Sequence, residues 1–224
     1  MPCWICGAPA DSSEHMVKAS DFRSVFGRVN QHAPVYRHSR GDPNRPVRGV
    51  DVAPIKFRPS MCQECNNART QPHDRAWEAF LAHFRALRPR PRAGDAVRMG
   101  RVYPNSTCES AVDLHLYFLK QLGCHSVQNS VPLPVNQFAA CILSGNSHPC
   151  VRLVFVSVAP ESSKYRIQVG DVSTLNRGGR AVSAVWHYRV ETLGVSVSYV
   201  EPGHLRLTRD RGWHPGDIGV ARYA

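Results

Sequence analysis

Cys62-Gln63-Glu64-Cys65-Asn66-Asn67 is the stretch on which the fold turns, because a matching pair opens the chain at Cys3-Trp4-Ile5-Cys6-Gly7. A C-x-x-C turn brings two thiolates onto one ion, and two such turns complete the tetrahedron that structural zinc prefers. Cys3, Cys6, Cys62 and Cys65 are therefore expected to hold one zinc. Four protein ligands leave no open position for substrate, so this metal is structural. It ties the chain start to residues 61–67 and presents everything between as a large loop. The other four of the eight cysteines, Cys108, Cys124, Cys141 and Cys150, lack ligand spacing and read as buried small apolar residues.

Residues 1–75 are rich in Cys, Pro, Asn and basic side chains, as a small metal-stapled unit is. Trp77, Phe80, Leu81, Phe84 and Leu87 then recur at helical spacing and predict a helix over 73–88. Arg88-Pro89-Arg90-Pro91-Arg92 ends it, since proline cannot continue a helix, and reads as a basic linker. A second helix is predicted over 107–122, with Ser106 and Glu109 as a capping box and Gly123 as its left-handed cap. From residue 150 the period changes to two. Strands are predicted over 151–158, 165–172, 181–192, 195–200 and 204–208. The fold class is α+β: a zinc-stapled domain over 1–88, a basic linker over 89–105, and a helix plus antiparallel sheet over 106–224.

The chain has 224 residues, with 28 Lys+Arg against 17 Asp+Glu and a net charge of +11. Only Lys18, Lys56, Lys120 and Lys164 are lysines; the remaining cations are arginines, whose forked guanidinium suits phosphate oxygens. A hydrophobic content of 42% excludes a disordered chain, and no apolar run reaches the roughly 20 residues of a membrane span. The first residues lack the basic start and apolar core of a secretory signal, so a cytoplasmic location is expected. The basic excess is concentrated between the two cysteine pairs, at Lys18, Arg23, Arg28, Arg37, Arg40, Arg45, Arg48, Lys56 and Arg58, with a short helix expected at 19–26. DNA is the expected partner, held through its phosphates by Lys18, Arg23, Arg28, Arg48, Lys56 and Arg58.

Glu14-His15 lies after the first cysteine pair and Asn66-Asn67 directly follows the second. In this order the chain resembles the zinc-stapled HNH endonucleases of the ββα-metal fold, in the sub-group with Glu-His and C-x-x-C-Asn-Asn. The likeness covers residues 1 to about 85. It implies that His15 is the general base, that Glu14 and Asn66 hold a catalytic magnesium or manganese, and that Asn67 orients the base. The stretch Phe57-Arg58-Pro59-Ser60 lacks the family's middle asparagine. Asp74 and His73 are further candidate ligands; alternatively, Asp74 is a first-turn acid facing the helix dipole.

The resemblance thus implies a metal-dependent endonuclease hydrolysing DNA phosphodiester bonds. The alternative is a non-catalytic zinc-stapled nucleic-acid-binding module in which Glu14 and His15 are merely packed. A protein-interaction finger of the ubiquitin-ligase kind needs an interleaved ligand spacing that this chain lacks. The C-terminal half is open to three roles: reading DNA, sensing a ligand, or forming a homodimer.

Overall fold

The computed structural model describes residues 1–39, 41–159, 166–204, 212–217 and 220–224. Arg40, Tyr165 and the strand predicted over 204–208, apart from His204, lie outside them. Two cysteine turns begin the molecule. The segments after and before them run antiparallel, with isolated bridges Ser12↔Met61 and His15↔Lys56. Between these come helix α1 (Ala19–Phe26), as expected, and a hairpin of β1 (Val35–Ser39) and β2 (Asp42–Val47). The second cysteine pair leads into a π-helical turn, Glu64–Arg69, which Thr70 closes by donating its hydroxyl to the Cys65 carbonyl at 2.9 Å. Helix α2 (Gln71–Ala86) follows and buries Trp77, Phe80, Leu81 and Phe84.

The stretch expected as a linker carries β3 (Ala96–Arg98) and α3 (Met99–Val102). β3 pairs with β9 (Val220–Arg222) near the chain end, and Val97, Met99 and Tyr103 are buried. The prolines there end α2 but do not prevent the chain beyond them from packing. Helix α4 (Thr107–Asn129) runs through Gly123, which is therefore not its cap; Ser130 takes the left-handed conformation instead. Ser106 precedes α4 but makes no capping bond with its side chain, and its hydroxyl meets Ser110 Oγ at 2.7 Å. Helix α5 (Val135–Ser144) lies where no element was expected.

The antiparallel sheet runs β4-β8-β7-β5, with β6 also against β7. Its strands are β4 (Val151–Ser157), β5 (Ile167–Val169), β6 (Ser173–Arg177), β7 (Arg180–Val190) and β8 (Leu193–Val200). Helices and antiparallel sheet together make an α+β fold. The main core joins both halves: Trp77 stacks on Tyr117 with ring centroids 5.7 Å apart, and Phe80 stacks on Phe155 at 4.5 Å. The buried Asp21 carboxylate joins α1 to this layer by accepting from Trp77 Nε1 and Tyr188 Oη, each at 2.8 Å. Of the four remaining cysteines, Cys124 and Cys150 are buried as expected, Cys141 is half-buried, and Cys108 is exposed at the start of α4. Among the described residues no helix is long and apolar enough to cross a membrane.

Candidate metal centre and basic cleft

The sulfur atoms of Cys3, Cys6, Cys62 and Cys65 all lie within 4.8 Å of one another. Zinc–sulfur bonds of about 2.3 Å put the edges of a tetrahedron near ~3.8 Å, and Cys6 Sγ and Cys62 Sγ are 3.5 Å apart. These residues fit the metal expected of them. The turns are shaped for it: Gly7 N donates to the Cys3 carbonyl at 2.9 Å, with Gly7 at φ 79°. The Cys65 amide points at Cys62 Sγ, 3.4 Å away. A backbone bond at Ala8 pulls the Cys6 thiol down to about 7, towards the thiolate that zinc requires.

Glu14 and His15 point to different surroundings. Glu14 is buried, and its Oε1 accepts from Gln121 Nε2 at 3.0 Å and from Lys120 Nζ at 3.2 Å. Lys120 is fully buried and also lies 3.0 Å from Asp74 Oδ1, which Lys18 approaches at 3.4 Å. Burial opposes the charge on Lys120, but the carboxylates of Glu14 and Asp74 outweigh it and hold its pKa above the ordinary lysine value. The divalent ion implied at Glu14, Asn66 and Asp74 does not fit this arrangement, because an ammonium already bridges the two carboxylates.

Asn66 donates from Nδ2 to Ser12 Oγ at 2.9 Å, while its buried Oδ1 has no partner. Asn67 is exposed on the π-helical turn. His73 Nδ1 meets Asp113 Oδ1 at 2.8 Å. Asp74 sits in the first turn of α2, as an acid facing the helix dipole would, but its carboxylate is engaged by the two lysines.

His15 is half-buried, and its Nε2 lies 3.0 Å from the Val50 carbonyl and 3.6 Å from Asp51 Oδ1. With Nε2–H donated to Val50, Nδ1 keeps its lone pair. Burial, and then the charge of Lys56, lower the His15 pKa, outweighing Glu14 and Asp51. The ring is therefore neutral at pH 7. The orienting group that the sequence did not reveal is a backbone carbonyl, and a carbonyl has no residue type to recognise.

The cations sort by surroundings. Lys18 is paired with Asp74 and Glu78, so it serves the core rather than a surface. Arg23, Arg28 and Arg48 are exposed. Lys56 pairs with Asp51 at 2.9 Å, and Arg58 donates Nη2 to the Gln128 carbonyl at 3.1 Å. Lys56 and Arg58 line a cleft of about 1030 Å³ between the β1–β2 hairpin and the β5–β7 edge of the sheet. Compared with family profiles, curated proteins and solved structures, the chain matches none.

Proposed function

We propose that the protein is a zinc-stapled endonuclease of the HNH kind that hydrolyses DNA phosphodiester bonds, with His15 as general base. The observation that carries this reading is the setting of His15: its ring is oriented by the Val50 carbonyl, and its backbone pairs with that of Lys56, which lines a basic cleft. Two antiparallel segments followed by a helix, closed by four cysteines, support the ββα-metal likeness. In this proposal the Nδ1 lone pair of His15 takes a proton from the attacking water, and the Lys56 ammonium faces a phosphate oxygen. Magnesium or manganese would reach Glu14 only with Lys120 withdrawn from it.

The Glu14–Lys120–Asp74 bridge favours a second reading, a zinc-stapled module that binds nucleic acid without cleaving it. Conversion of supercoiled plasmid separates the two, run with and without added magnesium or manganese. Cleavage that falls by about 10²–10⁴-fold in His15→Ala supports the nuclease. Cleavage at the wild-type rate in that variant, or none in the wild type under either condition, leaves the binding module.

A further inference from the structure

The cleft beside His15 is lined by cations with fixed positions. Arg37 Nη1 donates to the Pro54 carbonyl at 2.6 Å, Lys56 is held by Asp51, and Arg58 is held by Gln128. Asp171 is the carboxylate among the lining residues and Asp51 offsets Lys56, and the arginines leave the wall net positive. Its floor is apolar, because it belongs to the small hydrophobic cluster of Val17, Phe22, Val47 and Ile55 packed towards Ile167 and Val169. Tyr36, on β1, also lines the cleft and leaves 56% of its surface exposed. A volume of about 1030 Å³ just exceeds the roughly 300–1,000 Å³ range that holds one small molecule, and suits an extended segment.

Fixed cations, an apolar floor and an open aromatic ring suit an anionic chain with bare ring faces. A duplex hides its base faces in the stack, whereas a single strand exposes them to aromatic and apolar surfaces. We propose that this cleft binds a single-stranded segment of nucleic acid, its phosphates on Arg37, Lys56 and Arg58 and a base stacked on Tyr36. Met16 and Lys56 line the cleft, and Lys56 bridges His15, so the strand leads to the base. That last feature rests on the nuclease reading; the binding does not.

The test is fluorescence anisotropy of the full-length, zinc-loaded protein with labelled oligonucleotides of about 12 nucleotides. The probes are one sequence as single-stranded DNA, as single-stranded RNA and as a DNA duplex, without added divalent ion. One of the single strands should bind at least about fivefold tighter than the duplex, and the tighter of the two names the source. Tyr36→Ala should weaken single-strand binding about tenfold while duplex binding, zinc content and Tm stay unchanged. Arg37→Gln should reduce the salt slope by about 0.7 on the single strand. Equal binding of strand and duplex, or an indifferent Tyr36→Ala, overturns the proposal. Plasmid cleavage without a single-strand preference would sink the cleft and spare the nuclease; the preference without cleavage would do the reverse.

Discussion

Lys120 Nζ lies 3.2 Å from Glu14 Oε1, so a side chain from the middle of α4 supplies the positive charge at the acidic member of the Glu-His pair. The same ammonium reaches Asp74 at 3.0 Å, and none of the Lys120 side chain is exposed. Removing one member of a buried ion pair strands the other charge and costs about 3–5 kcal/mol. Lys120→Met strands the buried Glu14 carboxylate, while Asp74 keeps Lys18 at 3.4 Å, and is expected to lower stability by about that much in urea unfolding. The double change Lys120→Met with Glu14→Gln should recover part of the loss. A loss below about 1 kcal/mol in the single variant would show that the bridge is not formed.

The bridge also bears on metal binding. A ligand at free concentration L that binds only the folded state stabilises it by RT ln(1 + L/Kd) and so raises Tm. With Lys120 between Glu14 and Asp74, about 1 mM manganese should leave the wild-type Tm unchanged. A rise of several degrees would mean that the ion displaces Lys120 from Glu14, and would restore magnesium or manganese to the mechanism. The thiolate site does not confuse this test, since manganese prefers oxygen ligands.

Gly123 offers a third check, because α4 passes close to the first cysteine turn there. A Cβ on Gly123 would lie 2.7 Å from Trp4 Cζ2, and Trp4 stands between Cys3 and Cys6 of the four-cysteine cluster. Gly to Ala inside a helix ordinarily stabilises by about 0.5–1 kcal/mol. Here Gly123→Ala is expected to destabilise by about 1–3 kcal/mol, as overpacking does. In a Trp4→Ala background the same change should revert to stabilising, so a double-mutant cycle measures the contact directly. Equal effects in both backgrounds would refute it.

The close approach at Gly123 shows where the sequence stopped being legible. A glycine after an apolar stripe reads as a helix cap, yet this one is needed for tertiary packing, and α4 continues for another turn and a half to Asn129. That extension carries Cys124, His125 and Gln128, which meet Met61, Phe57 and Arg58. The sequence separates the two halves because each has its own local period; it does not show that one helix packs on both. The four-cysteine cluster was legible, because thiolate spacing is a local signal. So were α2 and the long strands, whose apolar stripes are internal to each element. Helix α5 has the same kind of signal, with Val135, Phe138, Ala139 and Ile142 at helical spacing before Gly145, but the stronger strand pattern that follows overshadows it. The partner of Glu14 could not be read at all, since Lys120 is 106 positions away and looks like any surface lysine of an amphipathic helix.

Buried histidines set the acid limit of the fold. His115 and His125 are buried, and burial lowers their pKa values to about 3 and about 4. The unfolded chain protonates histidine near 6.5. Below that pH the unfolded state binds protons that the folded state refuses, so stability is lost as pH falls from 6.5 towards 4. Each group should cost about 2 kcal/mol at pH 5. His125→Phe is expected to flatten the fall, because the ring packs against Phe57 and Trp186 without a hydrogen bond that phenylalanine would lack. Thermal unfolding at pH 5 and pH 7 measures it, and an unchanged slope in His125→Phe would assign the acid loss elsewhere.

The state of His15 can be tested without relying on its absence. Burial and Lys56 lower its pKa, while the Val50 carbonyl, Glu14 and Asp51 raise it. A general base works only when neutral, so the acid limb of cleavage should lie below the ordinary histidine value of about 6.5. Lys56→Met removes a cation that disfavours the imidazolium. It also frees Asp51, 3.6 Å from Nε2, to stabilise the charge of the imidazolium. Both effects raise the pKa, so the limb should move to higher pH, and less of the base should be neutral at pH 6. A histidine NMR titration should show the same displacement at His15 in the absence of any substrate. A shift in the titration with no movement of the rate profile would leave His15 outside the chemistry. No shift in either would mean that Lys56 does not act on His15, and burial alone would then be what lowers its pKa.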